Sequence, residues 1–197
     1  MNWFTQFLSS TLGKKLLMAL TGIFLITFLA VHLAGNLQLL KHDGGMAFNL
    51  YAEFMSTNPL IQTVSKLNFA FILLHALWGI YLSVKNRQAR GPQRYAVTSG
   101  KSSIWASRNM GILGTVVLIF IVVHLKDFWA QMHFGAVPMV TYEGVEVRNL
   151  AALVDTWFSK AWYVGLYLFC MGALGFHLWH GFISAFQTLG LNHLKYN

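Results

Sequence analysis

Four long apolar runs leave this chain few folds to choose from. Leu16–Leu40, Leu67–Val84, Met110–Leu125 with its continuation to Phe134, and Ala161–Phe186 each reach or approach the ~20 residues that a helix needs to cross ~30 Å of hydrocarbon. Only 10% of residues are charged, where soluble domains carry about a quarter. The first run is too long for a signal-peptide core, and no small-residue cleavage site follows it. The expected fold is all-α: a transmembrane helical bundle forming one domain over residues 1–197. Its spanning helices are predicted at about 15–40, 64–87, 107–134 and 159–188.

Charge gives the bundle a direction. Lys14 and Lys15 precede the first helix, and Lys85, Arg87, Arg90, Arg94, Lys101 and Arg108 crowd around the loop 88–106. The carboxylates Asp43, Glu53, Asp127, Glu143, Glu146 and Asp155 read as belonging to the other two connections. This asymmetry predicts a cytoplasmic N-terminus and a cytoplasmic 88–106 loop, in a prokaryotic inner membrane. The basic loop suits an acidic partner or anionic headgroups. The net charge of +8 brings no soluble nucleic-acid reader with it.

The connections have their own signals. Residues 1–13, with Trp3, Phe4, Phe7 and Leu8, read as a short amphipathic segment at the interface. Gly44-Gly45 and Asn58-Pro59 mark turns, and Phe48–Met55 between them predicts a short interfacial helix. In the outer connection 135–158, alternation about Glu143-Gly144 predicts a hairpin. The single cysteine, Cys170, lies in the fourth run and reads as packing.

The first and third runs repeat each other: Gly22, His32 and Leu33 match Gly114, His124 and Leu125 in spacing. The second and fourth each carry a histidine with a glycine four residues on, His75 with Gly79 and His177 with Gly181. His180 is a fifth histidine within the runs, while His42, His133 and His193 fall at helix ends or in loops and read as solvated surface. A lone buried histidine is more often a hydrogen-bonded core residue. Ionisable groups on four membrane helices are instead functional by default. At ~1.5 Å per residue, His32 and His124 lie ~26 and ~24 Å from the inner face, and His75 and His177 both ~15 Å. The two pairs are thus ~10 Å apart in depth, and His180, at ~10 Å from the inner face, matches His75 less well. Neutral imidazoles are good axial ligands to haem iron, and two on one iron leave no open position, which suits electron transfer. The glycines Gly22, Gly35, Gly79, Gly111, Gly114, Gly172, Gly175 and Gly181 would admit a flat macrocycle or, equally, close helix packing.

At these residues the chain resembles the di-haem cytochrome b membrane anchor of succinate:quinone oxidoreductases, the succinate dehydrogenases and fumarate reductases. The resemblance runs over nearly the whole length. It includes Ser10-Thr11-Leu12-Gly13-Lys14-Lys15, Thr21-Gly22 with His32, Phe54–Leu60, the His75 helix, Ser107-Arg108-Asn109, and Gly175-Phe176-His177 continuing to Ser184-Ala185-Phe186-Gln187. It implies two haems b, an outer one on His32 and His124 and an inner one on His75 and His177. It also implies a flavoprotein and an iron–sulfur subunit on the cytoplasmic face, which perform the succinate chemistry, and a quinone (menaquinone) reacting in this subunit.

His180 is then expected near a haem propionate or the backbone, with Lys101, Trp105, Ser107 and Arg108 as propionate candidates. Glu53, 21 residues after His32, corresponds to a carboxylate that serves the quinone in some members. A partly buried carboxylate can relay protons there; the alternative is an ordinary solvated loop glutamate. Two features depart from the family. Gly175 stands where some fumarate reductases carry a proton-conducting glutamate, and the family's fifth spanning helix has no counterpart in these 197 residues. The rival readings are the di-haem anchor of a formate dehydrogenase, nitrate reductase or hydrogenase, and a haem-free structural anchor or transporter.

Overall fold

The computed structural model describes residues 2–91 and 105–191. The chain begins with α1 (Trp3–Ser9), where the Asn2 side chain accepts from the Thr5 N–H at 3.0 Å and caps the first turn. After an extended Ser10, α2 runs over Thr11–Asn36 and tightens into a 3₁₀ turn at Leu37–Leu40. The Asp43 carboxylate then accepts from the N–H groups of Gly45 and Ala47, each at 3.0 Å, and starts α3 (Met46–Thr57). Gly45 has a left-handed φ of 87°, and a side chain there would also run into the Ala151 methyl group. The interfacial helix predicted over Phe48–Met55 is therefore present, two residues longer at each end.

α4 covers Pro59–Arg90 and begins five residues before the predicted 64. The Asn58 side chain accepts from Leu60 N–H at 3.0 Å and Ile61 N–H at 3.3 Å, and Pro59 occupies the first helical position. The Asn-Pro pair read as a turn is thus a helix start, because proline's missing N–H is not needed in that first turn. The third predicted helix, 107–134, is built from α5 (Trp105–Arg108), α6 (Met110–His124), a π-helical turn over Leu125–Trp129 and α7 (Ala130–Phe134). The hairpin also stands where expected. β1 (Met139–Tyr142) pairs antiparallel with β2 (Val145–Arg148) around Glu143 and Gly144, whose φ values of 50° and 86° make the turn. α8 (Leu150–Phe158) lies where only a loop was anticipated, and α9 (Ala161–Thr188) completes the described chain.

Four helical stretches are long and apolar enough to cross a membrane: Thr11–Leu40, Pro59–Arg90, Met110–Phe134 and Ala161–Thr188. The shortest has 25 residues, about 37 Å at 1.5 Å per residue, and so exceeds the hydrocarbon thickness. Only 6–11% of each stretch's most apolar window is buried within the protein. Side chains such as Leu33, Leu73, Ile119, Val122, Leu168 and Phe169 face outward instead. Apolar surface on that scale needs a lipid environment. The chain is an all-α, multi-pass membrane protein.

Two compact units emerge, each drawing segments from all four long stretches. The first comprises Met1–Ile26, Ala70–Val117 and Gly172–Asn197; the second comprises Thr27–Phe69 and Leu118–Met171. Among the described residues, the first unit buries Ala19, Ala106, Leu113, Ala185 and one polar side chain, Thr21. The second buries Val147, Tyr163 and Cys170 together with three strongly polar side chains, Asn49, Asn68 and Asp127. Burial of Cys170 matches its reading as a packing residue.

Asn49 knits several elements of the second unit together. Its Nδ2 donates to the Tyr142 hydroxyl at 3.0 Å and to Asn149 Oδ1 at 3.1 Å, while its Oδ1 accepts from Ala151 N–H at 2.8 Å. One side chain on α3 thereby joins β1 and the start of α8, with both donors and the acceptor used.

Candidate functional site

The two histidine pairs fall one in each unit. In the first, His75 on α4 faces His177 on α9, with ring centroids 6.3 Å apart and planes at 69°. In the second, His32 on α2 faces His124 at the end of α6, with centroids 5.7 Å apart and planes at 90°. Two imidazoles sharing one metal through nitrogens at about 2.0–2.1 Å, each about 1.1 Å from its ring centre, have centroids about 6.2–6.4 Å apart when collinear and less when bent. The 6.3 Å separation is of that size, and the 5.7 Å one is shorter. Among the described residues, no three His, Cys, Asp or Glu side chains gather as a cage for a bare ion. A pair of imidazoles suits an iron whose remaining positions belong to a macrocycle.

Hydrogen bonds orient two of the four rings. Thr21 Oγ1 has one proton, which goes to the Leu17 carbonyl at 2.8 Å, one turn back along α2. Its lone pair therefore accepts from His75 Nδ1, 3.0 Å away. With the proton on Nδ1, the Nε2 lone pair of His75 is free to bind metal. His124 Nδ1 lies 3.1 Å from the Tyr167 hydroxyl, a partner of the same kind. The Nδ1 of His177, by contrast, is buried with no hydrogen-bond partner among the described residues. A buried polar atom left in that state costs about 1–3 kcal/mol.

The repeat explains this difference. A Cβ on Gly22 would lie 3.5 Å from His75 Cε1, and one on Gly114 would lie 3.6 Å from His177 Cε1. The equivalent glycines of α2 and α6 thus let equivalent imidazoles pack against the backbone. The residue before each glycine differs, Thr21 in one and Leu113 in the other, and leucine offers no oxygen. The other glycines divide. Gly35 meets the Tyr51 ring, Gly79 the Met18 side chain and Gly111 the Ser83 hydroxyl, so these serve helix packing. Gly172, Gly175 and Gly181 have open space around them.

Glu53 lies on α3, its side chain 30% exposed, with Oε2 3.8 Å from Arg148 Nη1 on β2. It belongs to the second unit, as His32 and His124 do. His180 is half-buried on α9, three residues beyond His177. Trp105, Ser107 and Arg108 form α5, where the Trp105 ring meets Phe176 at 5.7 Å, Ser107 is half-buried and Arg108 is exposed. Lys101 lies outside the described residues, as does His193. His42 and His133 are exposed, as expected of surface residues.

One assignment needs correcting. The sequence places Asp127 with the carboxylates of the connections, whereas in the structure it lies inside the third spanning stretch and is only 2% exposed. A carboxylate one residue beyond a lysine, where an apolar run thins out, reads naturally as a loop. The helix continues through it because the π-helical turn carries the chain on to Phe134. Thr21, Tyr163 and Tyr167, which bond to the histidines directly or through one another, were likewise not singled out for that role. Their one signal was polar atoms spaced a helical turn apart within an apolar run. No family model, curated protein or solved structure matches the chain, so the reading of the site rests on its own residues.

Proposed function

We propose that this chain is the di-haem cytochrome b anchor of a succinate dehydrogenase or fumarate reductase complex. In this reading it passes electrons between an iron–sulfur partner on the cytoplasmic face and a membrane quinone, menaquinone in particular. The observation that carries the reading is the pair of facing imidazoles in each unit, 6.3 Å and 5.7 Å apart, on helices whose remaining surface is lipid-facing. Bound there, haems b would supply reversible one-electron transfer without an open coordination position.

The chain's own residues have distinct tasks in this scheme. His75 and His177 hold the inner haem and His32 and His124 the outer one. Thr21 fixes the tautomer of His75, and Gly22 and Gly114 keep space beside two of the rings. Ser107, Arg108 and Trp105 on α5, with His180 on α9, are the groups available to propionates. Glu53, paired with Arg148 at a half-buried position, exchanges protons for the quinone. Lys85, Arg87, Arg90 and Arg108 give the partner-facing side its positive charge.

A dithionite-reduced minus oxidised spectrum of the purified protein, with haem quantified per chain, tests the reading. Two haems b per chain are expected, and a haem-free protein that binds none on reconstitution would overturn it. A cysteine introduced at Arg87 should be labelled only from the cytoplasmic side. Labelling from the outside would reverse the orientation and remove the docking face.

A further inference from the structure

A partly buried chain of hydrogen bonds leads away from His124 in the second unit. Its Nδ1 lies 3.1 Å from the Tyr167 hydroxyl, which lies 3.1 Å from the Tyr163 hydroxyl, itself 3.1 Å from Asp127 Oδ2. Lys126 Nζ closes the chain at 2.8 Å from Asp127 Oδ1. The lysine side chain is 68% exposed and the aspartate only 3%, so the chain runs from an exposed cation inward to the histidine. The carboxylate only accepts, so the single hydroxyl proton of Tyr163 points to it. Tyr167 must then donate to Tyr163 and accept from His124 Nδ1–H. Every proton in the chain is oriented by the charge at its far end.

We propose that Asp127, acting through Tyr163 and Tyr167, is a positioning residue for His124, fixing its tautomer and ring orientation and raising its strength as a ligand. This rests on the reading of His124 as a haem ligand. A carboxylate that draws on the distant imidazole proton makes the opposite nitrogen a better electron donor, and such outer partners tune bound metals. A stronger donor favours the ferric over the ferrous ion. His75 has no equivalent, because Thr21, the group bonded to its Nδ1, passes its own proton to a neutral backbone carbonyl. The carboxylate therefore acts on one histidine pair alone.

The test is a redox titration of the membrane-bound complex, wild type against Tyr167→Phe and Asp127→Asn, followed optically and by electron paramagnetic resonance. In Tyr167→Phe, both haems should be retained and the inner midpoint unchanged. The outer one should rise by about a tenfold change in the ferric-to-ferrous preference, about 59 mV for one electron. The outer ferric resonance should also shift as the ring turns. Asp127→Asn keeps an acceptor for Tyr163 but removes the charge, so it should move the outer midpoint the same way by a smaller amount. If Tyr167→Phe lowers thermal stability but leaves the outer midpoint and resonance at wild-type values, the tyrosines are packing groups and the proposal is overturned. A shift of both haems alike would also overturn it. A wild-type protein without haem would instead fail the reading beneath it.

Discussion

The two histidine pairs have similar ring separations in very different surroundings. Among the described residues of the first unit, the buried groups are small or apolar, one imidazole is anchored by a neutral threonine, and the other has a nitrogen without a partner. In the second unit, among the described residues, three strongly polar side chains are buried, and His124 is tied through two tyrosines to a carboxylate. Burying Asn49 or Asp127 in low dielectric is tolerable only because each is almost fully hydrogen-bonded or ion-paired. The lesson is that a similar pair of facing imidazoles can be supported by close packing in one unit and by polar connection in the other. In each unit a side-chain hydroxyl orients one histidine of the pair, a threonine bonded to a neutral carbonyl in the first and a tyrosine connected to a carboxylate in the second.

Removing a ligand should have the largest effect and would break the comparison most directly. His32→Ala or His124→Ala should abolish the outer haem while largely sparing the inner one, read as a halved haem-to-protein ratio. His75→Ala or His177→Ala should do the reverse. Loss of the inner haem alone on changing His32 would show that the facing rings are not the functional pairs.

A smaller effect is expected from Thr21→Val, which keeps the shape and removes the oxygen. His75 then loses its partner, and haem affinity of the inner site should fall about 10- to 100-fold, the usual consequence of losing a ligand's outer hydrogen bond. Haem release measured against a competing apoprotein would show it. If inner affinity did not change, packing against Gly22 alone would be holding the ring.

Asn49→Ala should destabilise the second unit by about 1–3 kcal/mol, since it strands the Ala151 N–H and the partners on Tyr142 and Asn149. Hydrogen exchange should rise in α3, β1 and the start of α8 and stay unchanged around His75 and His177. A uniform rise across the chain would mean that the two units do not respond separately.

Glu53→Gln should have the mildest effect. Both haems should remain, and succinate oxidation with artificial acceptors should be intact, while turnover with quinone slows several-fold. Wild-type quinone turnover would make Glu53 an ordinary partner of Arg148 and leave the quinone site unassigned.

Four apolar runs, the positions of four histidines and the turn signals Gly44-Gly45, Asn58-Pro59 and Glu143-Gly144 were all legible in the linear sequence. They rest on local physics: the length needed to cross hydrocarbon, the helical repeat, and the few residues that accept a positive φ or start a helix. For that reason the helices, the hairpin and the helix over Phe48–Met55 could be anticipated to within a few residues, and α8, whose signal was hidden in a connection, could not. What lay beyond reach depended on side chains far apart in sequence. That Thr21 meets His75, that Asn49 joins three elements, and that Asp127 is buried and connected to His124 through Tyr163 and Tyr167 are consequences of which faces of separate helices meet. A polar residue in an apolar run has the same local signature whether it is a loop end or a buried anchor. Only the tertiary fold supplies the partner that makes its burial affordable.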